Sequence, residues 1–274
     1  MKSWGWAALP LVIIAAGLFS IPALEPGWRS YTFLGVLLLL AAELAVVGQL
    51  INRRPAGAFI DNRNRISLSK LQMGAWTVVV LAAFVTAAAF NAAEANGAIV
   101  DALKVAIPGE LLLAMGISST SLVAAPALLS LKADETPHAE AQQAAANRLN
   151  TGVVATGKIA GKTTPAKASW ADLVTGDELG NVGTPDLGKI QQALITLLLL
   201  GCYVGYVFML FGKSGSVLEL PKLDKSFVWL LGISHASYLA YKAAPHTTTG
   251  PAPSGAGSQP SGAVIQPSTT GTQP

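Results

Sequence analysis

Two ionisable residues stand inside long apolar runs: Glu43 between Tyr31 and Ile51, and His235 between Phe227 and Ala243. An ionised carboxylate facing hydrocarbon is expensive, so Glu43 must face other helices, take a proton or find a partner. That makes it a candidate for an ion or proton path, against a plainer role as a carboxyl bonded to a neighbouring helix. His235 follows Ser234 in its run. A zinc site there would need further His or Cys ligands, and the neighbourhood in sequence supplies none, so a hydrogen-bonded structural His is the simpler reading. Lys70 and Gln72 open one apolar run, and Lys189 and Gln191 open another at a constant offset, with Asn62 and Asn181 in step upstream. These pairs read either as snorkelling lysines with amides that cross-link helices, or as a pseudosymmetric site.

Asp177 and Glu178, with Asp172 and Asp186 nearby, have the oxygen chemistry for a divalent cation. EF-hand spacing is absent, so capping and turn formation around Gly176 and Gly180 is the simpler reading. No phosphate-binding or dinucleotide glycine fingerprint, nucleophile elbow or HExxH zinc pattern occurs. The expectation is a protein that is not an enzyme, with no cofactor and no bound metal.

The elements that must position these residues are set by composition. Charged residues make up 12% of the chain, hydrophobic residues 51%, and mean hydropathy is +0.49. A soluble domain carries about 25% charged residues, so this chain cannot clothe itself in a polar surface. Its apolar residues come in blocks of about 20, the length a helix needs to cross a bilayer. The net charge of +3 does not point to nucleic acid, because the basic residues flank apolar blocks without interleaved aromatics. The single cysteine, Cys202, lies in an apolar block and allows no intrachain disulfide.

The pattern predicts an all-α integral membrane protein with six transmembrane helices. Residues 1–52 hold two spans, the first read as uncleaved. Residues 53–131 hold a basic loop and two spans, Leu71 to Phe90 and Glu110 to Leu131. Residues 132–185 form a polar loop, with a short helix from Glu135 to Leu149 and a Gly/Thr/Lys linker from Thr151 to Lys167. Residues 186–245 hold spans from Ile190 to Phe211 and from Phe227 to Ala243, and residues 246–274 form a disordered tail.

The last four spans read as two parallel helix-hairpin repeats. Leu68 matches Leu187 and Thr77 matches Thr196, while Gly116-Ile117-Ser118 matches Gly232-Ile233-Ser234. The two Lys-Gln pairs are expected to meet across an axis near the membrane normal. Placing the N-terminus inside puts 13 basic residues on the inner side and 5 on the outer, which accounts for all 18 and favours cytoplasmic termini.

Three stretches also carry a resemblance. They are Ser67-Leu68-Ser69-Lys70-Leu71-Gln72-Met73 with Trp76-Thr77, Gly176-Asp177-Glu178-Leu179-Gly180-Asn181 with Asp186-Leu187-Gly188-Lys189-Ile190-Gln191, and Leu230-Leu231-Gly232-Ile233-Ser234 with Tyr238-Leu239. Together, over roughly Ala58 to Lys242, they resemble a pattern of uncharacterised bacterial multi-pass inner-membrane proteins. The resemblance implies a bacterial inner-membrane location and brings no activity with it. Two functions follow as expectations. One is a membrane scaffold or anchor, recruiting a cytoplasmic protein partner through its loop and tail and open to homo-oligomerisation. The other is a small channel or transporter built on the duplicated helices. The lipid bilayer is a partner in both, and nucleic acid in neither.

Overall fold

The structure, a computed structural model, describes residues 9–20, 26–94, 102–137, 139–149, 153–213 and 215–244. The expected tail and the beginning of the first span lie outside these residues. Most of the described chain is helical: α1 (Leu9–Ser20), α2 (Arg29–Asn52), α3 (Leu68–Glu94), α4 (Gly109–Ala133), α5 (Ala139–Leu149), α6 (Leu187–Phe211) and α7 (Lys225–Ala243). Four of them, α2, α3, α4 and α6, are long and apolar enough to cross a membrane, which marks a membrane-embedded protein.

α3 is the centre of the bundle, packed against α2, α4 and α6. Ala82, Ala83 and Ala87 on α3 are fully buried, and such small side chains let neighbouring backbones approach closely. Aromatic residues fill the core between the α3 and α6 faces, with Trp76 beside Tyr203 and Phe90 beside Phe211. α7 lies against both α4 and α6.

The helices end at two differently built surfaces. At one, the connections 102–108 and 215–224 pair, the Ala106 amide donating to the Leu218 carbonyl and the Leu220 amide to the Ala106 carbonyl. There Asn91 clamps Val217 by donating to its carbonyl and accepting from its amide, both at 2.8 Å. Arg29 bonds Glu94 beside them.

At the other surface the polar segments fold into a cap. The stretch expected to be a Gly/Thr/Lys linker is instead a β-hairpin, β1 (Val153–Thr156) antiparallel to β2 (Ile159–Lys162). Its two-residue turn begins at Gly157 with φ +54°, where a side chain would be strained and would also strike the Ala133 carbonyl at the end of α4. β2 is buried along its whole length, because Arg63 and Asp177 supply backbone partners on its flanks: the Lys162 amide donates to the Arg63 carbonyl and the Ala160 amide to the Asp177 carbonyl.

Each connection that leads into α3 or α6 closes on itself just before its helix. Ile60 pairs with Ile66 ahead of α3, and Thr175 with Pro185 ahead of α6. Ser67 and Asp186 then cap the two helices, accepting from the amides of Lys70 at 3.4 Å and Lys189 at 3.0 Å.

Candidate functional site

The cap and the bundle meet at a buried charge network centred on Asp177. Its Oδ2 lies 2.6 Å from Lys242 Nζ and 3.0 Å from Lys189 Nζ, and its Oδ1 lies 3.0 Å from Arg63 and 3.7 Å from Arg65. Lys189 comes from the start of α6 and Lys242 from the end of α7, while the arginines come from the connection before α3. One carboxylate therefore ties three separate parts of the chain together.

The network continues outward on both sides. Asp172 accepts two bonds from Lys162 at 2.7 and 2.9 Å, and closes the first turn of Trp170–Leu173 through a capping box with Ser169. Arg65 reaches back to donate to the Gly176 carbonyl at 2.6 Å, and Lys132, at the end of α4, bonds Glu178 at 2.6 Å. In all, six cations (Arg63, Arg65, Lys132, Lys162, Lys189 and Lys242) face four carboxylates (Asp61, Asp172, Asp177 and Glu178).

Burial alone would push the Asp177 pKa up. Lys189, Lys242, Arg63 and Arg65 outweigh it and hold the carboxyl well below the usual carboxylate range. For Arg63 burial works against the charged form, and Asp177 and Asp61 more than compensate, so the guanidinium is held more firmly protonated than usual. Gly176 is required at the hub, because a Cβ there would sit 2.2 Å from the Asn181 side-chain oxygen and 2.4 Å from its backbone carbonyl oxygen, which cannot swing aside. The Asn181 side-chain oxygen receives the Glu178 amide at 3.0 Å and shapes the turn that presents Asp177.

A second polar layer lies within the bundle. Gln192 Nε2 donates to Gln72 Oε1 at 3.0 Å, and Gln72 Nε2 donates to Thr196 Oγ1 at 2.8 Å, joining α3 to α6. Gln192 also donates to His235 Nδ1 at 3.1 Å, and Ser121 Oγ lies 2.6 Å from the same nitrogen. With Nδ1 accepting, the ring proton sits on Nε2. That atom, Gln192 Oε1, Ser118 Oγ and Ser234 Oγ are buried without a partner among the described residues.

The residues singled out in the sequence fall into four situations. Lys70 and Lys189 both fold back onto the connection before their helix: Lys70 donates to the Ile60 carbonyl at 2.8 Å, and Lys189 to the Thr175 carbonyl at 2.7 Å. Only Lys189 joins the network. Gln72, Ser234 and His235 belong to the polar layer, whereas Glu43 is half-buried on α2 with Oε2 unpartnered among the described residues. Gln191, the sequence-equivalent of Gln72, is exposed; the residue that meets Gln72 is Gln192.

The pairing across a twofold axis is therefore corrected. A twofold would turn the Gln72–Thr196 contact into a Thr77–Gln191 contact and the Ser121–His235 contact into a Ser237–Ser119 contact. Thr77 instead bonds the Met73 carbonyl on its own helix, and Ser237 is exposed. The divalent-cation alternative at Asp177 is corrected as well, since protein cations already occupy both of its oxygens.

Sequence reading missed Arg63, Arg65, Lys189 and Lys242 as partners of Asp177, and Lys162 as the partner of Asp172. The one available signal was that cations and carboxylates recur where each apolar run meets its polar segment. The arrangement fastens a cap to a helical bundle. No family model, curated protein or solved structure matches the chain.

Proposed function

We propose that this is a multi-pass membrane scaffold whose six-span bundle, α1 and α7 included, holds a folded cap at the cytoplasmic face of a bacterial inner membrane for a soluble protein partner. The observation that carries this reading is the Asp177 network. An anchor needs only a single span. A carboxylate that gathers four cations, three of them buried, from both sides of the boundary supports a bundle whose task is to hold the cap in one fixed pose. Trp170, 57% exposed on the cap, offers a partner a large aromatic contact. The orientation rests on the basic residues, which gather at the capped end. A reporter fused after His246 is then active only when it requires the cytoplasm; periplasmic activity contradicts the orientation.

Site-specific photo-cross-linking tests the scaffold itself. A cross-linker replacing Trp170 in cells should capture one protein reproducibly, and Asp177→Asn should abolish the capture. Capture of lipid alone, or capture unaffected by Asp177→Asn, refutes the reading.

A second reading has one observation in its favour. Glu43 Oε2, His235 Nε2 and Gln192 Oε1 are buried groups without partners among the described residues, the kind of group that water or a passing proton occupies. On this reading the protein moves protons or a small solute. Reconstituted vesicles with a pH-sensitive dye separate the two: flux above empty vesicles, lost in His235→Leu, supports transport, and flux equal to empty vesicles removes it.

A further inference from the structure

A cavity of about 430 Å³ lies where the cap meets the ends of α3, α4 and α7, and its two walls differ in chemistry. One wall is the apolar flank of α4, with Leu122, Ala125, Pro126 and Leu129. The other carries five cations, Arg63, Lys70, Lys162, Lys189 and Lys242, against two carboxylates, Asp61 and Asp177. Counting Asp172, which stands behind Lys162, the site keeps an excess of two positive charges.

Several donors there remain unspent. An ammonium has three N–H donors. Lys70 uses one of its three on the Ile60 carbonyl and has no ion pair among the described residues. Among the described residues, Lys162 directs its bonds at Asp172 alone. Ser67 and Leu68 also line the cavity, which brings in the N-terminus of α3, where the helix dipole favours an anion.

We propose that this cavity binds the phosphate of an anionic membrane lipid, with the headgroup among Lys70, Lys162 and the start of α3 and the acyl chains along α4. Cations on one side only, an apolar wall on the other and a position at the end of the spans fit an amphiphile better than a free ion. The site stands independently of whether the cap recruits a protein.

The test is native mass spectrometry of the full chain from phosphatidylcholine nanodiscs, titrated with phosphatidylglycerol or with inorganic phosphate. The expected result is saturable one-to-one retention of phosphatidylglycerol. Lys70→Gln should weaken it about tenfold, the scale of one charged hydrogen bond. Ser130→Trp, which plugs the mouth while leaving every cation in place, should abolish it. Thermal midpoints in phosphatidylcholine alone establish that both variants are folded. Three results overturn the proposal: retention unchanged in both folded variants, phosphatidylcholine retained as tightly as phosphatidylglycerol, or inorganic phosphate bound as tightly as the lipid. The last would mean a soluble anion is the ligand and the apolar wall plays no part.

Discussion

Replacing Asp177 with Asn keeps the side chain's shape and removes its charge, so Lys189, Lys242, Arg63 and Arg65 would face an amide. The Asp177 side chain is 7% exposed, and those of Arg65, Lys189 and Lys242 are 2%, 5% and 7% exposed, so water cannot take over as counter-charge. Removing one partner of such a buried pair costs about 3–5 kcal/mol, mainly because the remaining charges stay desolvated. With about 2–4 °C lost per kcal/mol in a chain of this size, the thermal midpoint in mild detergent should fall by roughly 10 °C. The exposed pair Lys222–Glu219 provides the control, its side chains being 65% and 43% exposed. Glu219→Gln should cost at most about 1 kcal/mol. Adding Lys189→Met to Asp177→Asn should recover part of the loss, since it removes one of the stranded charges. A midpoint for Asp177→Asn within about 2 °C of the parent protein would refute the idea that this carboxylate holds cap and bundle together.

Gln192→Leu should cost about 1 kcal/mol, the scale of an interhelical hydrogen bond in a membrane, while Gln191→Leu should be neutral; the thermal midpoints of the two variants read this directly. A double-mutant cycle of Gln72→Leu with Gln192→Leu should be subadditive, since both remove one contact, and strict additivity would mean the two amides do not interact. Because the folded pKa of Asp177 is depressed, its contribution is fully present above the unfolded value of about 3.9 and is lost as pH falls through the folded one. The midpoint of the parent should therefore hold from neutral pH to about pH 4 and drop below it, with a shallower drop in Asp177→Asn. Gly176→Ala should lower the midpoint, because its Cβ meets both the Asn181 side chain and its backbone carbonyl, and a midpoint equal to that of the parent would refute this.

The helices were legible because apolar blocks announce themselves in composition. α4, for example, begins right after Pro108, where proline suits a first turn. The hairpin was hidden by its own composition. Gly157-Lys158 sits between β-branched neighbours, a two-residue turn signal, yet the surrounding Gly, Thr and Lys resemble a linker. Gln191 shows a different limit. Offset arithmetic pairs it with Gln72, but helix rotation decides burial. On α6 the buried series runs Lys189, Gln192, Thr196, Leu199 and Tyr203, at spacings of three and four, which turns Gln191 outward. The two copies of the motif therefore use different faces. The Asp177 network was out of reach for a related reason: Arg63, Lys189 and Lys242 are far apart in sequence, and no periodicity says which loop closes over which helix end.

The central claim is that residues 153–186 form a cap fixed to the bundle, and hydrogen–deuterium exchange of the full chain in nanodiscs tests it most directly. The amides of Ala160, Lys162, Leu179 and Asp186 donate to the carbonyls of Asp177, Arg63, Lys158 and Val174. Peptides covering them should exchange as slowly as those of α3, and Asp177→Asn should speed the cap while leaving α3 unchanged. Exchange across 153–186 at the rate of an unstructured chain would contradict the account.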